Sequence, residues 1–173
     1  MKKTHLCLAV CAALLAACAT AWEPNTPTVL NPPAGEVPAF PLQAEGVQIY
    51  ACRAKADGSG YQWAFVAPEA TLKQDGRVVG THGAGPSWKS NSDRSSVKGA
   101  VRQRLDSGSE NIPWLLLAAT PADEPGMFAG VTSVQRVATK GGIEPAEKCD
   151  ASIAGKEARV PYTADYYFWK RKP

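Results

Sequence analysis

The sequence predicts an exported all-β protein whose folded part is one antiparallel β-sandwich or small β-barrel. Three observations carry that prediction. From about residue 42 the apolar residues recur with period two, in short runs separated by turn-forming clusters. No stretch combines a sustained helical period with caps. Two cysteines, Cys52 and Cys149, lie far apart in a chain that opens with an export signal.

The N-terminus comes first in the chain and fixes the compartment. Lys2 and Lys3 form a basic start, residues 6–17 form a short apolar run, and Leu15-Ala16-Ala17-Cys18 has the shape of a bacterial lipobox. Residues 1–17 are then a lipoprotein signal peptide, and Cys18 is the lipidated first residue of the mature chain. Two other fates remain open. Cleavage after Ala19-Thr20-Ala21 would release a soluble protein, and a retained anchor would need a longer apolar run than this one. Ala19 carries no acidic retention signal, so the expected destination is the periplasmic side of the outer membrane, with a soluble periplasmic or secreted protein as the alternative.

Processing changes the composition that matters. The chain has 19 Lys and Arg against 16 Asp and Glu. Loss of Lys2 and Lys3 leaves 17 against 16, a net charge of +1 that gives no support for a nucleic-acid partner. Cys7 and Cys11 leave with the signal and Cys18 is consumed by lipid. Cys52 and Cys149 remain as an even pair, expected as one disulfide. The C-terminal Lys170-Arg171-Lys172 reads as a solubilising tail.

Residues 18–41 hold the lipid-attachment cysteine and a stretch rich in Pro, Asn and Thr without periodicity, expected as an extended spacer. The β-domain is expected over residues 42–173. Val47, Ile49 and Ala51 alternate with Gln48, Tyr50 and Cys52. After Asp57-Gly58-Ser59-Gly60, a second strand carries Tyr61, Trp63 and Phe65. Ala70–Gln74 and Arg77–His82 flank Asp75-Gly76, a hairpin signal because both central residues tolerate positive φ. Residues 96–105 read as a half-solvated strand, and the run after Pro113 as a short central strand. Gly130–Ala138 is another strand, Thr139-Lys140-Gly141-Gly142 a turn, and Tyr166–Trp169 a last aromatic strand. Seven or eight short strands result.

Few residues suggest chemistry. His82 is the one histidine left after processing, so a catalytic or metal reading passes through it, with Glu69, Asp93, Asp165 or nearby serines as partners. A single histidine with scattered acids favours a structural role, and no metal or cofactor is expected. Gly83-Ala84-Gly85-Pro86-Ser87-Trp88 fails as a phosphate loop, because Pro86 lacks an N–H, Trp88 replaces the third glycine and no helix follows. Nucleotide binding is rejected. The polar loop Asn91–Ser96 suits either a functional loop or an ordinary turn. The aromatic residues Trp63, Trp88, Trp114, Tyr162, Tyr166, Tyr167, Phe168 and Trp169 suit a core or a glycan- or lipid-binding surface.

Taken in order, several segments resemble a known family. They are Gly46-Val47-Gln48-Ile49-Tyr50-x-Cys52, Trp63-x-Phe65-x-Ala67-Pro68-Glu69-Ala70-x-Leu72, and His82-x-Ala84-Gly85-Pro86-x-Trp88. Ile112–Leu117, Gln135-Arg136-Val137-x-Thr139-x-Gly141-Gly142, Cys149-Asp150 and Val160–Phe168 complete the set. The chain is similar over about residues 42–168 to the exported bacterial and fungal family catalogued as domain of unknown function 3455. The resemblance implies one exported domain with paired cysteines. It also draws Glu69, His82, Trp88, Gln135, Arg136, Tyr162 and Asp165 into shared motifs as binding candidates, without assigning roles. Some fungal relatives are labelled malate dehydrogenase, which the absent Rossmann fingerprint does not support.

The leading expectation is a cell-envelope lipoprotein, held to the membrane at Cys18, whose β-domain binds a small molecule, glycan or envelope partner. The alternatives are a secreted hydrolase or metal-dependent enzyme using His82 with Glu69 or Asp165, and a purely structural envelope component.

Overall fold

A computed structural model describes residues 24–121 and 123–173. The expected signal peptide, the expected lipidation site at Cys18 and the alternative cleavage point after Ala21 lie outside the described residues. Eight antiparallel strands follow one another as an up-and-down meander: β1 Glu36–Ala54, β2 Tyr61–Gln74, β3 Arg77–Gly83, β4 Ser87–Ser90, β5 Ser96–Leu105, β6 Trp114–Pro121, β7 Val131–Gly141 and β8 Glu157–Arg171. Pairing of β1 with β8 closes the sheet into a barrel. Of the two architectures expected, the barrel form is the one observed. Closure leaves no full-length free edge, which an open sheet must otherwise protect.

The turn chemistry behaves as the residues dictate. Asp75 and Gly76 both take positive φ (49° and 76°) between β2 and β3, the two-residue hairpin that this dipeptide favours. β6 starts directly after Pro113 and is paired on both sides. Cys52 and Cys149 form the expected disulfide.

Three expectations are corrected. The folded body begins before residue 42: β1 starts at Glu36, and Leu30 in a short 3-10 turn (Thr28–Leu30) is fully buried. Gln135 Nε2 donates to the Leu30 carbonyl at 2.7 Å and to Thr26 Oγ1 at 3.3 Å, so part of the expected spacer is fastened to the outer wall. The stretches around Trp63 and Leu72 belong to one strand, because Pro68 sits where β2 has a partner on one side only. Thr139–Gly141 continues β7 beyond a bulge at Ala138 (φ 49°) instead of turning. The Asn91–Ser96 loop is a latch. Asp93 accepts from Ser95 and from the Met127 backbone N–H, and Ser95 Oγ accepts from the Phe128 N–H at 3.1 Å.

That latch holds Phe128 as a plug in one end of the barrel. Phe128 packs at a tilt against Phe40 and Phe168 at centroid distances of 5.8 and 5.1 Å, in one cluster with Leu42, Leu72, Val97, Val131 and Val134. Further along the axis, Trp88 lies across the interior. Gly99 permits this, since a Cβ there would sit within 3.1 Å of the indole and 2.9 Å of Leu117. Beyond Trp88 the interior is hollow.

Candidate functional site

The hollow is a cavity of about 870 Å³ at the end of the barrel opposite the Phe128 plug. Its existence follows from unequal strand lengths. The β3–β4 hairpin turns at Ala84–Pro86, while β2 and β5 run on. Residues 61–69 of β2 and 100–105 of β5 therefore lack a partner on the sides facing each other. The wall is notched there. Phe65 and Val66 of β2 and Val101 of β5 line the notch with Gly85 and Pro86. Phe65 is 54% exposed and Val101 56% exposed, and Val66 and Ile143 are exposed too. Four of the largest exposed apolar side chains thus rim one opening, a concentration that single scattered residues would not give.

The β5–β6 and β7–β8 loops fold over the remaining rim. Asn111 Oδ1 accepts from the Gly141 N–H, and Tyr50 Oη donates to the Gly142 carbonyl at 2.7 Å. The disulfide holds the β7–β8 loop to β1, and Trp63 Nε1 donates to the Glu147 carbonyl at 2.7 Å in the same loop. Rim and barrel are thus tied at several points.

The floor is polar. His82 on β3 is 3% exposed and stacks on Trp88 with centroids 4.7 Å apart. Its Nδ1 lies 2.8 Å from the Ser87 carbonyl, which can only accept, so Nδ1 carries the proton. Burial pushes its pKa down to about 4 against the opposing pull of that carbonyl. The neutral ring then presents a lone pair at Nε2, and Tyr166 Oη donates to it at 3.1 Å. Burial raises the pKa of both Tyr162 and Tyr166, with Arg136 working in the other direction. At neutral pH the two phenols and His82 are uncharged.

Arg136 supplies the charge. It lies on β7 between Leu115 of β6 and Tyr166 of β8, and its Nε and Nη2 donate to the Pro113 carbonyl at 3.1 and 2.8 Å. Gln48 of β1, only 2% exposed, has no hydrogen-bond partner at Nε2, and neither has Trp88 at Nε1 or Tyr162 at its hydroxyl. Gln48 still lies near enough to Tyr162 to favour its phenolate slightly.

The structure divides the seven candidates from the sequence. His82, Trp88 and Arg136 line the cavity together. Tyr162 stands beside them in the interior, in electrostatic contact with Tyr166, Gln48 and Arg136. Glu69, Gln135 and Asp165 face away. Ala70 is the inward residue opposite His82, so the neighbouring Glu69 points outward, where it pairs with Arg159 at 2.6 Å. Asp165 flanks the inward Tyr166 and lines a small outer groove with Lys140, where burial raises its pKa. Gln135 holds the N-terminal segment and accepts from Trp169 Nε1 at 2.9 Å. The expected catalytic pairing of His82 with Glu69 or Asp165 is therefore not assembled. Among the described residues, no group of three or more His, Cys, Asp or Glu side chains could hold a metal ion.

Sequence reasoning missed Gln48, Tyr50, Asn111 and Val101 as lining residues. The missed signal was phase. Along β1 the polar Gln48 occupies the interior face and Val47 the outer one, the inverse of an ordinary core strand.

Fold and cavity together define a closed antiparallel barrel plugged at one end and hollowed into a cup at the other. The chain belongs to the family described as protein of unknown function (DUF3455), whose model matches residues 33–170. Comparison with curated proteins and with solved structures yields no match.

Proposed function

We propose that this protein is a cell-envelope lipoprotein, anchored at Cys18, that holds one small, largely apolar molecule in the open end of its barrel. The observation that carries this reading is the cavity itself: about 870 Å³, rimmed by Phe65, Val66, Val101 and Ile143. That volume lies in the range of small-molecule sites. The lining pairs apolar walls with a few convergent polar groups, the usual composition of such sites. A small molecule fits this enclosure better than a glycan chain or a protein partner, because the lining closes around a cup in the barrel end and His82, Arg136 and Tyr166 converge inside it.

Binding is tested with the neutral dye N-phenyl-1-naphthylamine, whose fluorescence rises in apolar surroundings. The mature protein should bind about one equivalent saturably and lose fluorescence from Trp63 and Trp88, as one enclosed site requires. Val101→Asp places a charge on the exposed rim and should weaken the dye about tenfold without loss of fold. An absent saturable signal, or a Val101→Asp protein that binds as well as the parent, contradicts the reading.

A further inference from the structure

We infer that the molecule held in the barrel is a monovalent anionic amphiphile, its carboxylate bound by Arg136 and its hydrocarbon body lying between the apolar residues of the rim. The inference rests on the binding reading above and specifies its ligand.

The argument starts from charge. Arg136 is a permanent cation inside the barrel wall. Among the described residues it makes no ion pair with any carboxylate. Its guanidinium has five N–H groups, so donors remain beyond the two directed at Pro113 and the side that meets the Tyr166 hydroxyl. Tyr50, His82, Tyr162 and Tyr166 all feel its field, so its charge acts on the whole interior. An uncompensated charge in such surroundings is costly unless something meets it.

The unpartnered atoms point the same way. Trp88 Nε1 and Gln48 Nε2 are buried donors on residues that line this cavity, and neither has an acceptor. A site offering a cation and unused N–H donors is complementary to a group that only accepts. An ionised carboxylate is such a group, and the planar fork of arginine matches it with two parallel bonds.

The remaining charges limit the anion to one unit. Glu144 and Asp106 also line the cavity, and Glu144 acts on Tyr50 in the direction opposite to Arg136. Arg104 is already paired with Asp106 at 3.9 Å. With Arg104 and Asp106 set against each other, Arg136 is left beside Glu144 alone, a balance that suits a singly charged carboxylate and disfavours a phosphate monoester. The apolar notch then accounts for the rest of the molecule, because Phe65, Val66 and Val101 offer nothing to a polar body.

The experiment compares dodecanoate with dodecan-1-ol, equal in chain length and different in head group. Each displaces N-phenyl-1-naphthylamine from the mature protein at neutral pH, the acid below its micelle concentration and the alcohol below its solubility limit. Dodecanoate should bind about tenfold more tightly than the alcohol, as a charge-assisted fork implies. Arg136→Gln should remove that preference and leave the alcohol within about twofold, while Glu144→Gln, an exposed change, should tighten dodecanoate about twofold. Should Arg136→Gln fail to fold, Arg136→Lys retains the charge without the fork and should keep a reduced preference. Equal binding of acid and alcohol, or an equal loss of both in the Arg136 variant, overturns the anionic ligand and leaves the binding reading standing. Failure of the acid, the alcohol and the dye alike overturns both.

Discussion

At the scale of single residues, His82 shows how burial turns a titratable group into a fixed hydrogen-bond link. Its ring is enclosed by Trp88 and Tyr166, donates to the Ser87 carbonyl and accepts from Tyr166. The desolvation that lowers its pKa to about 4 makes stability depend on pH. The unfolded chain takes up this proton near pH 6.5, and the folded chain only near 4. Between those values the unfolded state binds more protons, so stability falls as pH falls, by about 3 kcal/mol once both states are protonated. Urea unfolding from neutral pH down to pH 4 should show that decline, and His82→Gln should flatten it whatever its stability at neutral pH. Asp93 is separable: hydrogen bonds from Ser95 and Met127 hold it well below the usual carboxylate range, so its contribution is lost only in more acid solution. The sequence identified His82 as the residue through which any chemistry passes, but not its environment. Its neighbours come from β4 and β8, and neither stacking nor burial is written in the spacing of one histidine.

At the scale of elements, strand length builds the site. β3 and β4 are seven and four residues long against fourteen in β2, and that inequality opens the notch. Alternation and turn residues made most strands legible, including the Asp75-Gly76 hairpin and the strand after Pro113. They did not mark the inner face of the cup. A cavity lining mixes Gln48, Tyr50 and Arg136 with apolar groups, so its phase resembles that of a solvent-facing strand. Prolines misled for a related reason. Pro38 and Pro41 suggested spacer, yet each lies where its strand has one neighbour and a missing N–H costs little, as does Pro68 in β2. The β7–β8 loop gives the element-scale prediction. It forms part of the rim and is joined to β1 by a disulfide spanning 97 residues. Replacing both Cys52 and Cys149 with serine should lower unfolding stability by about 4–5 kcal/mol on the chain-entropy account. Dye binding should weaken in the same variant, because Ile143 and Glu144 belong to the released loop.

At the scale of the whole molecule, the barrel divides into a sealed half and an open half. Phe40, Phe128 and Phe168 close the first, with the Asp93–Ser95 latch holding the plug from outside. Trp88 is the boundary. Apolar packing supplies stability on one side of it, and polar residues that contribute little to packing remain on the other. Gln135, Glu69 and Asp165 belong to neither half. They act on the outer surface, where Gln135 fastens the N-terminal segment to the wall. Family motifs brought inner and outer residues onto one roster because neighbours along a strand alternate between faces, and only closure of the sheet separates them.

The most direct test of the cup is the indole N–H region of a proton–nitrogen correlation spectrum, recorded while dodecanoate is titrated into the mature protein. Trp88 Nε1 is buried and unpartnered beside the cavity, Trp63 Nε1 is bound to the rim loop, and Trp169 Nε1 is bound to Gln135 on the outer wall. The resonances of Trp88 and Trp63 should shift together and saturate, while that of Trp169 stays in place. A shift at Trp169 with Trp88 unmoved, or a spectrum unchanged throughout the titration, would contradict a ligand site in the open end of the barrel.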